Sequence, residues 1–209
     1  MSKDSSVHTV SHPPSLHPPT HARIGPNALI QTVRALQEIC GRAEATAILE
    51  RGQQAHLIDY TPTDMVPEAD FQALVLLLTT HLGVEQATHV LRLSGQYTAH
   101  YLLHHRIPRP FQQLLKVLPR RLALALLLFA IRKNAWTFVG SGTFTYRVGQ
   151  ETQLTIVSGI HSNGAVCGFY GGTFATLIQQ IIDAQARVQA TRSQGGEDSR
   201  CEYVVLFES

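Results

Sequence analysis

Histidines recur at helical intervals in residues 85–105, a stretch that the apolar spacing predicts to be a helix. His89, Gln96, His100 and His104 follow one another at intervals of seven, four and four residues, which places them along one stripe of that helix. A neutral imidazole in apolar surroundings can ligate the metal of a macrocycle. The alternative is that each histidine is a hydrogen-bonded or exposed residue of an ordinary helix.

Aromatic residues accompany these histidines in the sequence. Tyr97 and Tyr101 are one helical turn apart beside the stripe, and Trp136 and Phe138 open a later segment that is predicted to be a strand. Rings of this kind offer large flat apolar surfaces for packing. The histidines are therefore expected to lie among aromatic and leucine side chains.

The charges of the chain are segregated. Residues 86–150 contain nine lysines and arginines and no aspartate or glutamate, so this segment carries +9 although the whole chain carries only +2. Such a field favours an anionic partner, which could be a small carboxylate-bearing molecule, an anionic membrane face or nucleic acid. Nucleic acid is excluded as the partner because no helix-turn-helix, zinc-finger or RNP-type signature is present.

Motifs of cofactor-dependent and hydrolytic enzymes are absent from the sequence. There is no GxGxxG, Walker or GxSxG motif, so no nicotinamide or flavin site is expected. The glycine-rich residues 168–172 (GFYGG) lack the spacing and the lysine of a phosphate cradle. Glycines there would allow either close helix packing or the entry of a flat ligand near the backbone.

The elements that must position these residues form an α+β pattern. Helices are predicted for residues 27–40, 44–51, 67–82, 85–105 and 111–132, with breaks at Gly41, Gly83 and Pro119. The second half reads as ββαβ: strands at 136–147 and 153–157, a helix at 167–187, a polar loop at 193–198 and a last strand at 201–207. Residues 55–60 are expected to be extended. The sequence therefore predicts a helical half packed on a small antiparallel sheet.

The N-terminal segment, the cysteines and the apolar runs indicate the domain organisation and the cellular compartment. Residues 1–22, rich in proline and histidine, are predicted to be a disordered tail that precedes a single domain at 23–209. Cys40, Cys167 and Cys201 are too few for a disulfide framework, which favours a reducing compartment. The longest apolar run, residues 122–131, is too short to span a bilayer. A cytoplasmic protein is expected, with peripheral membrane contact as the alternative.

Two segments carry a resemblance to a known family. Residues 23–28 (RIGPNA) before an apolar helix resemble the opening of the bacteriochlorophyll-biosynthesis protein J family. Residues 167–170 (CGFY) and 201–204 (CEYV) resemble the end of the vinyl-reductase-type domain, which is related to ligand-sensing domains and to a vesicle-tethering subunit family. The resemblance implies a ligand-sensing type of α+β domain, a homodimer, a pocket between helices and sheet, and a role in tetrapyrrole synthesis.

The resemblance also bears on zinc. Ligand-sensing relatives hold a structural zinc with three cysteines and a glutamate, and the matching positions here are Cys167, Ala190, Ser193 and Cys201. Because two of the four ligands are missing, no zinc is expected, and Cys167 and Cys201 are expected to be neighbouring buried thiols.

Together these observations predict an accessory protein that binds a magnesium tetrapyrrole, Mg-protoporphyrin or divinyl chlorophyllide, and presents it to bacteriochlorophyll-pathway enzymes. The candidate binding residues are His100, His104, Tyr97, Tyr101, Trp136 and Phe138, and a basic residue of the acid-free segment would pair with a propionate. A non-enzymatic role is favoured. The alternatives are the divinyl chlorophyllide 8-vinyl (4-vinyl) reductase that the family name implies, and a protein–protein scaffold.

Overall fold

The computed structural model describes residues 22–194 and 199–207, and in them a helical half precedes a half that contains the main sheet. The helices are α1 (Asn27–Cys40), α2 (Arg42–Arg51), α3 (Glu68–His105), α4 (Arg109–Val117), α5 (Arg120–Lys133), α6 (Trp136–Val139) and α7 (Val166–Ile181). The strands are β1 (Arg23–Ile24), β2 (Val66–Pro67), β3 (Thr143–Arg147), β4 (Thr152–Ser158), β5 (Arg187–Gln194) and β6 (Ser199–Leu206). The predicted α+β class is confirmed. Of the predicted tail, residues 1–21 lie outside the described residues.

The predicted helix breaks at Gly41, Gly83 and Pro119 follow from local backbone chemistry and are confirmed. α1 ends at Gly41, which adopts a φ of 81°. α3 is broken at Gly83, where φ is 78° and ψ is 164°, a conformation that glycine adopts without steric cost. Pro119 lies between α4 and α5, because proline lacks the amide hydrogen that a continuous helix would need there.

The centre of the molecule is a close contact between α3 and α7. A Cβ atom added to Gly95 would lie 2.1 Å from the carbonyl oxygen of Phe169, and one on Gly172 would lie 2.2 Å from the carbonyl oxygen of Arg92. A Cβ on Gly168 would likewise meet the carbonyl oxygen of Thr88 at 2.4 Å. These glycines let the two backbones touch. Of the two uses expected for the glycine-rich segment, the structure shows close helix packing.

The main sheet is antiparallel throughout, with the strand order β3-β4-β6-β5. Alternate residues of β4 and β6 are buried, as expected for a sheet with one face on the core. Tyr203 of β6 is buried there, and its hydroxyl donates a 2.6 Å hydrogen bond to the carbonyl oxygen of Cys167 at the start of α7. This bond ties the first turn of α7 to the sheet.

The two cysteines at this junction are joined as a disulfide. Cys167 and Cys201 have Cα atoms 5.4 Å apart, within the range that a disulfide spans. They are neighbours, as expected, but the expectation that they are thiols is wrong. The number of cysteines in the sequence does not reveal this pair, because Cys167 and Cys201 are 34 residues apart and meet only where β6 packs against α7.

Two local predictions are wrong. Residues 136–139 form helix α6 instead of the start of a strand, and β3 begins only at Thr143. Aromatic and β-branched residues fit a half-buried pleated surface but do not require one, and here Phe138 packs inward from a helical turn. Residues Ala55–Ile58, expected to be extended, form a short 3-10 helix.

The predicted ββαβ order is also incomplete. α7 ends at Ile181, six residues before the predicted end, and the carboxylate of Asp183 accepts a hydrogen bond from the Gln185 amide in the turn that follows. Residues 187–194 then form β5, an edge strand that was not predicted. The second half is therefore ββαββ. Residues 195–198 of the predicted polar loop lie outside the described residues.

Candidate functional site

A cavity of about 630 Å³ lies where the beginning of α1, the end of α3, and helices α4, α5, α6 and α7 meet. We call it the aromatic cavity, because seven aromatic side chains line it: Tyr101, Phe111, Trp136, Phe138, Phe169, Tyr170 and Phe174. Aliphatic residues that include Leu102, Ile107, Leu127, Ile131 and Leu177 complete its wall. Volume and lining are those of a site for a small, largely apolar molecule.

The polar groups of the aromatic cavity are few. The hydroxyl of Thr98 is buried and has no hydrogen-bond partner among the described residues. Most buried polar groups in proteins form a hydrogen bond, so a molecule bound in the cavity could supply the hydrogen-bond partner of this hydroxyl. Arg106 supplies a cation, and the side chains of Asn27, Asp64 and Asn134 supply oxygen atoms.

The turn after α6 holds the aromatic residues of that helix in place. The buried carboxylate of Glu68 accepts a 3.0 Å hydrogen bond from the Ser141 amide, and its other oxygen has no partner among the described residues. Gly140 has a φ of 56° and lies so close that an added Cβ would be 2.5 Å from the Glu68 carboxyl carbon. Phe138 then packs edge-on against Tyr170 and Phe174.

Tyr170 links the cavity wall to the sheet. Its hydroxyl lies 3.2 Å from the Ser158 Oγ, to which it donates a hydrogen bond. Burial raises the pKa of the Tyr170 phenol well above its ordinary value, and the hydrogen bond to Ser158 only partly opposes that shift. Tyr170 is therefore a neutral donor, fixed in the wall at neutral pH.

A second, smaller space lies on the neighbouring face of the end of α3. We call it the histidine cleft; it has a volume of about 250 Å³ and is lined by His100, Leu103, His104, Arg109, Gln112, Lys116 and Gln180. The Nδ1 atom of His104 lies 2.7 Å from the His100 carbonyl oxygen. Since a carbonyl only accepts, Nδ1 carries the proton and Nε2 is the lone-pair nitrogen of the neutral ring. Arg109 and Lys116 give this cleft positive charge, which favours anions.

Tyr97 lies apart from both spaces. Its hydroxyl donates a hydrogen bond to Glu38, and the guanidinium of Arg34 sits 4.2 Å from the centre of its ring. The hydrogen bond to Glu38 raises the pKa of this phenol. These contacts join α3 to α1, which is a structural role.

The six predicted binding residues are thus not brought into one site. Tyr101, Trp136 and Phe138 line the aromatic cavity, His100 and His104 line the histidine cleft, and Tyr97 lines neither. Sequence reasoning did not single out Thr98, Phe111, Phe169, Tyr170 or Phe174. The one available signal was the pair of aromatic residues inside the glycine-rich segment 168–172.

The described residues contain neither a cluster of metal-binding side chains nor a helix that could span a membrane. In residues 22–194 and 199–207, no group of three or more histidine, cysteine, aspartate or glutamate side chains is arranged to hold a metal ion. Within the same ranges, no helix has the length and apolar character needed to cross a membrane. The absence of zinc from the protein stays a prediction.

Comparison with known proteins assigns a family to this chain. No family model matches it. The "Bacteriochlorophyll synthase 23 kDa chain" of Cereibacter sphaeroides is 30% identical over 190 residues, which cover 88% of this chain and 90% of that protein. The chain belongs to this family of bacteriochlorophyll-biosynthesis proteins. The protein of the same name from Rhodobacter capsulatus is 41% identical over 124 residues, a match that spans 58% of this chain and 56% of that one.

The family name matches the resemblance seen in residues 23–28, so the prediction of a bacteriochlorophyll-biosynthesis protein J is confirmed. Family membership places the chain in bacteriochlorophyll biosynthesis.

Solved structures show where this fold belongs. A structure described as "Structural insights into the molecular mechanism of H-NOX activation" aligns with a TM-score of 0.53 and 11% identity, covering 86% of this chain and 96% of that one. Another, described as "Probing the function of heme distortion in the H-NOX family", aligns with a TM-score of 0.52 and 12% identity, covering 87% and 94%. At such identities the likeness shows the fold alone.

Proposed function

We propose that this protein binds a magnesium tetrapyrrole intermediate, Mg-protoporphyrin or divinyl chlorophyllide, in the aromatic cavity and delivers it to the next enzyme of bacteriochlorophyll biosynthesis. The observation that carries the proposal is a cavity of about 630 Å³ with seven aromatic side chains in a protein of this biosynthetic family. The fold neighbours described for heme distortion are consistent with it, although they contribute only a fold.

The apolar wall supplies the binding energy in this proposal. If a macrocycle buries about 300 Å² of apolar surface, the gain is roughly 7 kcal/mol at ~25 cal/mol per Å², before the costs of association. Micromolar affinity corresponds to about −8 kcal/mol, so apolar burial of this size does not reach it alone, and the polar groups of the cavity must add to the contacts with Tyr101, Trp136 and Phe138. Affinity in this range suits a carrier that must also release its cargo.

The polar groups of the aromatic cavity orient the cargo. Arg106 belongs to the acid-free segment and is placed to pair with a propionate carboxylate. Magnesium prefers oxygen ligands, which Asp64, Asn27 and Asn134 offer. His100 and His104 line the neighbouring cleft instead of this cavity. That either of them binds the magnesium stays a prediction.

The test is a titration of the purified full-length protein with Mg-protoporphyrin and with divinyl chlorophyllide, each with and without NADPH. We expect a shift of the pigment's absorption that saturates at one pigment per chain, with no chemical change in either case. The fluorescence of Trp136, the single tryptophan of the chain, should be quenched along the same curve. Tyr60→Ala, a change at an exposed aromatic residue outside the cavity, is the control and should bind like the unmodified protein.

The other outcomes decide between the remaining roles. Conversion of the divinyl pigment to its monovinyl product by the protein and NADPH alone would replace the carrier with the reductase. Absence of a spectral shift with either pigment, together with a stable complex with a pathway enzyme, would replace it with a scaffold.

A further inference from the structure

Helix α5 has two unlike faces. Its inner face is buried through Ala123, Leu124, Leu127 and Leu128. On the opposite side, Leu122 is 59% exposed and Phe129 is 51% exposed, and a separation of seven residues puts both on one side of the helix. Exposed leucine and phenylalanine in register are unusual on a surface that contacts only water. The apolar run 122–131 is therefore buried in the core on one side only.

The outer face of α5 is cationic at both of its ends. Arg121 lies beside Leu122, while Arg132 and Lys133 lie beyond Phe129, and all three side chains are exposed. The Lys133 amine is 5.5 Å from the centre of the Phe129 ring. No acidic residue occurs anywhere from 86 to 150, so nothing near in sequence balances these charges. We call this surface, from Arg121 to Lys133, the outer stripe of α5.

We infer that the outer stripe of α5 docks the protein on the surface of an anionic lipid bilayer. Leucine and phenylalanine on one face together with flanking lysine and arginine are the composition of helices that lie in a membrane interface. The long basic side chains can reach headgroups while the apolar ones enter the acyl boundary. A second copy of this chain fits the stripe poorly, because like charges would then face each other.

Docking in this orientation would connect the membrane with the aromatic cavity. Leu127 and Ile131 of the inner side of α5 line that cavity. Trp136, which follows the helix by three residues, is 61% exposed and lines the cavity as well. An apolar molecule held in the bilayer would meet the cavity next to the lipid surface. The docking itself does not depend on pigment binding and is tested without it.

The experiment is flotation of the full-length, pigment-free protein with two kinds of vesicle, one of phosphatidylcholine alone and one that contains about one-third phosphatidylglycerol. We expect flotation with the anionic vesicles only, and less of it as the salt concentration rises. The double variant L122Q/F129Q should bind at least about tenfold more weakly, since both apolar anchors are lost. L76Q/V84Q, which changes two exposed apolar residues of α3, is the matched control and should bind normally.

The charges are tested separately. R132Q/K133Q should weaken flotation, and R42Q/R51Q, which removes two exposed arginines of α2, should not. Far-UV circular dichroism checks that each variant is folded. The inference is overturned if the unmodified protein floats with neither vesicle, or if the control pairs lose as much binding as the α5 pairs. It is overturned equally if size-exclusion chromatography shows a dimer that only L122Q/F129Q dissociates, because the stripe would then be a subunit interface.

Discussion

The end of α3 presents two neighbouring faces with different chemistry. Tyr101 and Leu102 line the aromatic cavity, which also contains the buried hydroxyl of Thr98, whereas His100 and His104 line a cleft that also contains Arg109 and Lys116. Adjacent residues of an α-helix point about 100° apart around its axis. Residues of a single turn can therefore line two different spaces, one aromatic and one cationic. The cavity therefore offers apolar and aromatic surface, whereas the cleft offers positive charge.

Both faces depend on the contact between α3 and α7, because α7 contributes to both the cavity and the cleft. Gly172→Val would push a side chain into the Arg92 carbonyl oxygen, so we expect a loss of about 3 kcal/mol or more of unfolding free energy. Urea denaturation measures it. Gly149→Ala in the β3–β4 hairpin meets nothing closer than 3.5 Å and should stay within about 0.5 kcal/mol of the parent. Equal stability of Gly172→Val and the parent would mean that the two helices do not touch there.

The disulfide holds the start of α7 and should act on stability alone. For a separation of 34 residues, loss of the Cys167–Cys201 link costs about 4 kcal/mol in the chain-entropy account. We therefore expect the Cys167→Ser/Cys201→Ser variant to unfold at lower urea and to bind pigment as the parent does once folded. Cys40→Ser, at the one free cysteine among the described residues, is the control. A variant with unchanged stability would show that the cysteines of the parent are not linked.

The buried tyrosines should make the protein sensitive to alkali. Burial raises the pKa of Tyr170 and of Tyr203 above the ordinary value of 10. Below pH 10 both folded and unfolded states are protonated, and above it only the unfolded state releases protons. Stability should therefore fall from pH 10 upward by about 1.4 kcal/mol per pH unit for each tyrosine.

Urea midpoints at about pH 8 and about pH 11 measure this loss. Tyr170→Phe should reduce it, and Tyr60→Phe, at an exposed tyrosine, should leave it unchanged. An identical alkaline loss in Tyr170→Phe would show that this phenol is not buried.

The Thr98 hydroxyl, which has no hydrogen-bond partner in the part of the chain that the structure describes, allows a smaller but more specific test. Thr98→Val keeps the shape and removes this buried polar atom, so we expect the unfolding free energy of the pigment-free protein to rise by about 1 kcal/mol. Pigment binding should weaken at the same time, since the hydroxyl is the group that a ligand would satisfy. Thr32→Val, which breaks the 2.8 Å hydrogen bond to Ser94, is the control and should lose stability. A stability loss in both variants would show that Thr98 has a partner.

The helical half of the fold could be predicted because its boundaries are set locally. Gly41, Gly83 and Pro119 stop helices through their own backbone chemistry, which is visible in the sequence. The misses depend on contacts with other segments of the chain. Residues 136–139 are helical in a place where the Thr137 carbonyl accepts a bond from Gly25, and β5 pairs only with β6, which follows it in the sequence.

The residues that line the two spaces could be predicted only in part, because helical spacing is local and the spaces are formed by several elements. Helical spacing correctly grouped His100 with His104, but it does not show which face of α3 meets which space. The wall that α7 contributes was not predicted, because the glycines around Phe169 and Tyr170 fitted close helix packing as well as the entry of a flat ligand, and the sequence does not decide between the two. Only the assembled tertiary structure shows that one helix performs both roles.

The most direct test of the account is a paired measurement of the dissociation constant for Mg-protoporphyrin. Trp136→Ala and Phe138→Ala remove apolar contact from the aromatic cavity and should each weaken binding about tenfold, which is about 1.4 kcal/mol. His100→Ala and His104→Ala, which change the neighbouring histidine cleft, should alter the affinity by less than about threefold. The reverse order, with the histidine variants losing affinity and the aromatic variants unchanged, would place the pigment in the histidine cleft and contradict the account.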